Sequence, residues 1–289
     1  MRWLGGRESG NVEDRRGSGG GGGLLVGGGI GTIVIAIIVT LLGGDPSDLL
    51  NSSQQQTQSP TMPGARTGPQ PDDAAASFTR KVLASTEDAW TQILAKEGMQ
   101  YRPPTLVFFR GQTRSGCGAA SAASGPFYCP GDKKLYIDLS FYDDLARRFQ
   151  APGDFAMAYV IAHEVGHYLQ DELGIMDKVH SAQQQMNERQ ANRMSVRLEL
   201  QADYLAGVWA HHAQGKTFTF EPGDVEEALT AANAIGDDRI QKETQGYVVP
   251  DGFTHGTSAQ RMYWFSKGLK TGDLNQGDTF NSREDANLQ

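Results

Sequence analysis

The chain has 289 residues, and Asp+Glu 34 outnumber Lys+Arg 26 for a net charge of −8. That balance disfavours a nucleic-acid partner, which selects for a basic footprint. Two cysteines exclude a disulfide-dense scaffold and any Cys-rich zinc module. A hydrophobic fraction of 38% suits one packed core and is too low for a multi-span membrane protein.

Composition divides the chain at about Ser77, since nearly half of the glycines precede it. Residues 1–23 are rich in Gly, Arg and Ser without apolar periodicity, so they are expected to be disordered. Leu24 to Leu42 carries no charge. As a helix it would extend roughly 28 Å, the thickness of a hydrocarbon core, which predicts a membrane anchor. A cleaved signal peptide and a buried core helix are the alternatives. Arg2, Arg7, Arg15 and Arg16 precede the run, and no cation lies between Gly43 and Gly64. The positive-inside rule then predicts a cytoplasmic N-terminus and an extracytoplasmic domain. Residues 43–76, rich in Gln, Ser, Thr, Pro and Asp, are expected to form a flexible linker. In an oxidising compartment Cys117 and Cys129 would close a short loop as a disulfide; two buried thiols are the alternative.

The domain, residues 77–289, is expected to be α+β and mostly helical with a small sheet. Ser77 to Glu97 is an amphipathic helix stopped by Gly98. Thr105–Phe109 and Lys134–Leu139 are strands, and Ser140–Phe149 is a short helix. Asp154 can cap a buried apolar helix over Phe155–Leu173, with Gly174 ending it. Further helices are expected at Ala182–Ala213, Val225–Ile235 and Thr257–Leu269.

His163-Glu164-Val165-Gly166-His167 reads HExxH. On a helix, positions i and i+4 share a face, so both imidazoles can reach one ion. Glu164 is offset by about 100° and is placed to handle the proton of a water. Two imidazoles and a carboxylate on a buried helix are costly without partners, and a zinc ion would supply them. A third ligand is required. His180 is a weak candidate, and Gln170 and Leu173 occupy the positions that the HExxHxxGxxH pattern needs for Gly and His. Glu199 and Asp203, spaced ExxxD, are better placed. Alone they would be the charged edge of a helix. After an HExxH helix, Glu199 can complete a His₂Glu site and Asp203 can accept the second ring N–H of a ligand histidine. His255 is the first choice for stabilising an oxyanion, ahead of Tyr204, Tyr247 and Arg261. A serine-hydrolase reading of His255 with Ser258 lacks the Gly-x-Ser-x-Gly elbow. His211 and His212 are expected at solvated surface.

HEVGH followed by ELQAD resembles the gluzincin metallopeptidases. The runs SGPFYCPGDKKLYIDLSF, AYVIAHEVGHYLQ, RLELQADYLAGVWA and FTHGTSAQRMYWF resemble the bacterial "putative neutral zinc metallopeptidase" family over about residues 77–271. The resemblance implies a zinc-peptidase domain behind a single membrane span, on the periplasmic side of a bacterial inner membrane. It implies one zinc ion on His163, His167 and Glu199, with Glu164 as general base towards a peptide carbonyl. By analogy with gluzincins, the strand Lys134–Leu139 would offer its edge to an extended peptide. An inactive membrane-tethered zinc protein and a zinc amidase acting on a non-peptide substrate share these motifs.

Overall fold

A computed structural model describes residues 1–16, 73–147 and 149–288. The apolar run 24–42 and all of 43–72 lie outside the described residues. Elements are β1 (Arg2–Trp3), β2 (Val12–Asp14), α1 (Asp73–Lys96), β3 (Thr105–Phe109), β4 (Gln112–Ser115), β5 (Gly118–Ser121), β6 (Phe127–Cys129) and β7 (Lys134–Asp138). They continue with α2 (Phe141–Arg147), α3 (Asp154–Glu172), α4 (Ile175–Gln183), α5 (Glu188–Ala213), β8 (Phe218–Thr219), α6 (Asp224–Ala234), α7 (Asp237–Gln245) and α8 (Ser258–Thr271). The mixed, mainly helical class agrees with the sequence. Helix α1 opens at Asp73, four residues before the expected Ser77.

The core is built around α3, whose residues from Phe155 to Ile161 are all buried. An apolar surface all round the helix demands neighbours on every side. Helices α1, α5 and α6 and strands β6 and β7 supply them. Helix α8 lies along α5, and two glycines permit the close approach. A Cβ on Gly207 would sit 2.2 Å from the Phe265 carbonyl oxygen, and one on Gly268 would sit 2.1 Å from that of Tyr204. Four strands form a sheet in the order β2-β3-β7-β6, parallel except for the antiparallel pair β6–β7. Strand β7 is therefore internal. Among the described residues the outer strands of this sheet are β2 and β6, and β6 is the one on the side of β7, which corrects the expectation that Lys134–Leu139 is itself an edge.

Two helix ends differ from the sequence expectation for local reasons. The long helix expected from Ala182 is interrupted before Glu188. Asn187 accepts the N–H of Gln190 at 3.0 Å, and the Gln190 side chain returns to the N–H of Asn187 at 3.2 Å. This capping box starts a new helix. Asp154 does not cap α3. Glu227 of α6 accepts the N–H of Phe155 at 3.1 Å instead, while Asp154 and Asp224 bind the Met1 nitrogen at 2.8 and 3.0 Å.

The expected disorder of residues 1–23 is overturned for residues 1–16, which are built into the domain. β1 pairs antiparallel with β8, and β2 pairs parallel with β3. Trp3 packs edge-on against Phe78 and Phe218. The buried carboxylate of Glu87 on α1 accepts from Arg7 at 2.6 Å, Ser9 at 2.5 Å and Asn11 at 2.8 Å. The segment shows no apolar periodicity because its strands are only two and three residues long, and its partners are distant in sequence.

This packing also corrects the localisation. A single span at 24–42 would put residues 1–16 and the domain on opposite sides of a bilayer, yet they share one sheet and one core. Among the described residues no helix is long and apolar enough to cross a membrane. The single-pass arrangement with a cytoplasmic N-terminus and an extracytoplasmic domain is thereby contradicted.

The expected disulfide is present. Cys117 and Cys129 are bonded, with Cα atoms 5.8 Å apart, and join the β4–β5 hairpin to the edge strand β6.

Candidate metal centre

Helices α3 and α5 bring the two motifs together. Their contact is close because position 166 is glycine. A Cβ there would lie 3.0 Å from the Ala202 carbonyl oxygen and 3.1 Å from its Cα. Gly166 lies between the two histidines, and Ala202 lies between Glu199 and Asp203. The point of closest approach is thus the point where the polar side chains meet.

The nitrogen Nε2 of His163 lies 3.1 Å from Nε2 of His167. Glu199 Oε2 is 3.2 Å from the first ring and Oε1 is 3.4 Å from the second. Each remaining ring nitrogen has its own partner. Nδ1 of His163 donates to Asp203 Oδ1 at 2.8 Å, and Nδ1 of His167 donates to Gln170 Oε1 at 2.9 Å. With hydrogens held at Nδ1, both Nε2 lone pairs and a carboxylate face one point. Lone pairs converging in this way repel unless a proton or a cation lies among them. Donors about 2.0–2.2 Å from a common tetrahedral ion stand roughly 3.3–3.6 Å apart. The observed spacings of 3.1, 3.2 and 3.4 Å lie within or slightly below that range, and the N₂O donor set suits zinc. His180, on α4, does not belong to this cluster.

Asp203 has no exposed surface and is saturated with donors. Besides His163, Tyr159 donates its hydroxyl at 2.5 Å, and Arg261 of α8 donates through Nε at 2.9 Å and Nη2 at 3.0 Å. Burial alone would raise the Asp203 pKa, but Arg261 and then His163 outweigh it and hold it below the ordinary value. For His163, burial opposes protonation, while the charge and hydrogen bond of Asp203 and the contact with Glu199 raise it to about 9. Burial acts against the Glu199 carboxylate too, yet His167 and His255 keep it ionised, well below its usual range.

Glu164 lies beside the cluster and accepts the backbone N–H of Tyr128 at 2.8 Å through Oε2. Burial raises its pKa, against the pull of His167 and His163. Tyr128 sits in β6, so this outer strand of the sheet faces the candidate base. Its hydroxyl donates to Asp171 of α3 at 2.6 Å, which ties the edge to the helix a second time.

His255 reaches the site from the turn before α8. Asp237 accepts the backbone N–H groups of Thr254, His255 and Gly256 at 2.7, 2.6 and 3.0 Å, and contacts Nδ1 of His255 at 3.2 Å. Burial lowers the His255 pKa, but Glu199 and Asp237 raise it on balance. The other candidates are engaged elsewhere. Tyr204 is buried, with its hydroxyl bonded to Thr271 and to the Asp273 carbonyl. Arg261 serves Asp203, and Tyr247 is exposed. Ser258 bonds Asn233 and Asp238. His211 is exposed and His212 half-buried, as expected of surface positions, and their rings bond the Leu269 and Gly272 carbonyls at the end of α8 at 2.9 and 2.8 Å.

Sequence reasoning missed Tyr159, Gln170, Gln201, Tyr128 and Asp237. Tyr159 has a readable signal, since it lies one helical turn before His163. Gln170 has one as well, three residues beyond His167 on the same helix; the others depend on contacts across elements.

A family model described as "putative neutral zinc metallopeptidase" matches residues 1–280. The chain is 51% identical to the uncharacterized protein YpfJ of Escherichia coli K12, covering 97% of this chain and 99% of that protein. It is 42% identical to the uncharacterized protein Rv2575 of Mycobacterium tuberculosis H37Rv, covering 69% of each. The uncharacterized protein Mb2605 of Mycobacterium bovis matches to the same extent. No solved structure matches the chain.

Proposed function

Because the chain belongs to the "putative neutral zinc metallopeptidase" family, we propose that it hydrolyses peptide bonds at the centre formed by His163, His167 and Glu199, which hold one zinc ion. Zinc so held supplies Lewis-acid polarisation of a carbonyl and lowers the pKa of a water towards ~7. Every other part of the reaction belongs to residues of this chain.

Glu164 is the general base. Its Oε2 is fixed by the Tyr128 N–H, which leaves Oε1 to accept the proton of the attacking water. Burial favours the protonated form that results. Glu164 then transfers this proton to the departing amine nitrogen as the C–N bond breaks. His255, steadied by Asp237, donates to the oxygen that becomes negative when the carbonyl is attacked. The substrate is a peptide in extended conformation, lying along the outer side of β6, whose Tyr128 N–H is held by Glu164.

The convergence of two free Nε2 lone pairs and the Glu199 carboxylate beside an oriented Glu164 supports this reading most directly. A purely structural zinc site has no use for such a base. Peptide cleavage by the Glu164→Gln variant tests it. The variant is expected to bind zinc normally and to lose at least about 10²-fold in kcat. Equal cleavage by the variant and the wild type would exclude Glu164 as the base.

A further inference from the structure

Gln170 lies three residues beyond His167 on α3, at a position the HExxH pattern leaves open. It has no exposed surface. Its Oε1 accepts from Nδ1 of His167, while its Nε2 donates to the Leu198 carbonyl at 2.7 Å and to Gln201 Oε1 at 3.1 Å. Gln201 Nε2 donates in turn to the Gly277 carbonyl at 3.1 Å. The chain of hydrogen bonds has one permitted polarity. Turning the Gln170 amide over would set its NH₂ against the ring N–H and its oxygen against two acceptors. Leu198 immediately precedes Glu199, so this single amide touches the ring of one metal-site residue and the backbone beside another.

We propose that Gln170 is a positioning residue of the metal centre, an inference that rests on the zinc-peptidase reading. It holds His167 as the Nδ1–H tautomer, leaving Nε2 for the ion, and it sets α3 in register with the turn of α5 that carries Glu199. Gln201 and the Gly277 carbonyl support it from behind. The segment after α8 thereby becomes part of the metal support. That segment is anchored to α5 independently of Gln201, because Thr279 donates to the Arg197 carbonyl at 2.6 Å and Arg197 pairs with Asp285 at 2.8 Å. The two histidines are supported differently: His163 by a carboxylate neutralised by Arg261, and His167 by a neutral amide.

Zinc affinity, measured on the full chain by competition with a chromophoric chelator, tests this without reference to activity. Gln170→Ala is expected to weaken zinc binding about 10- to 100-fold. Gln170→Glu keeps an acceptor for the ring N–H but loses the donor to Leu198 and Gln201. It should retain affinity within about threefold of the wild type while the unfolding midpoint of its metal-free form falls. Gln201→Ala leaves the His167–Gln170 bond intact and should weaken binding by a smaller factor than Gln170→Ala. Wild-type affinity in Gln170→Ala would overturn the inference. So would equal losses in Gln170→Ala and Gln170→Glu, which would mark a merely structural role. If Gln170→Ala does not fold, unchanged affinity in Gln201→Ala overturns the supporting chain. A wild-type protein that binds no zinc would overturn the proposed function itself, a distinct result.

Discussion

Arg261 and Asp203 meet as a two-pronged pair, Nε to Oδ2 at 2.9 Å and Nη2 to Oδ1 at 3.0 Å, with almost no solvent access to either side chain. The pair links α8 to α5 and stands directly behind His163. A buried ion pair adds little net stability, but removing one member strands the other charge. Arg261→Met should therefore destabilise the metal-free protein by about 3–5 kcal/mol. The double variant Arg261→Met with Asp203→Leu should be less damaged than the sum of the single changes, because no unpaired charge remains. Urea unfolding of the four proteins checks this, and additive losses would contradict the coupling.

The Cys117–Cys129 bond closes a loop with a sequence separation of 12. A loop of that length stabilises by roughly 2–3 kcal/mol, mainly by restricting the unfolded chain. Reduction, or the variant with both cysteines changed to Ser, should lower stability by that amount. Denaturation with and without a dithiol reductant measures it. Unchanged stability on complete reduction would show that the hairpin–β6 junction holds by packing alone.

Acid should weaken the attachment of β2. Hydrogen bonds from Arg15 and Lys134 hold the Glu13 carboxyl down at about 2, against an ordinary value near 4.5. A carboxyl with a lowered folded-state pKa contributes stability above its unfolded pKa and loses it as pH falls through the folded value. The window is thus from about pH 4.5 down to about pH 2. Glu13 is partly exposed, so solvent screening keeps the effect small. Protease sensitivity of residues 1–16 should rise across this window in the wild type and change less in Glu13→Gln. Equal profiles would remove Glu13 as the cause.

The legible parts of the molecule are those whose logic is local. HExxH and ExxxD are spaced by one helical turn, so each pair lies on one face whatever the fold. Gly174 ends α3 at φ 67°, as its position after an apolar run implies. Long-range contacts were not legible. Arg7 and Glu87 are 80 residues apart, and Asp203 and Arg261 are 58 apart. Residues 1–16 resemble a disordered tail because their apolar partners lie on α1 and β8. Strand β6 has three residues between Gly/Pro-rich turns, too few to display alternation, so the sequence does not show that a further strand covers the outer side of β7. The break before α5 was readable, since Asn187 and Gln190 form a capping box, but the polar run around them looked like a continuous helix surface.

The central claim is that His163, His167 and Glu199 hold one zinc ion. Elemental analysis of the purified full chain after dialysis against a weak chelator tests it most directly. The account predicts about one zinc per chain in the wild type and in Glu164→Gln, and well under half of that in Glu199→Ala. Zinc retained in full by Glu199→Ala, or absent from a folded wild-type protein supplied with the metal, would contradict it.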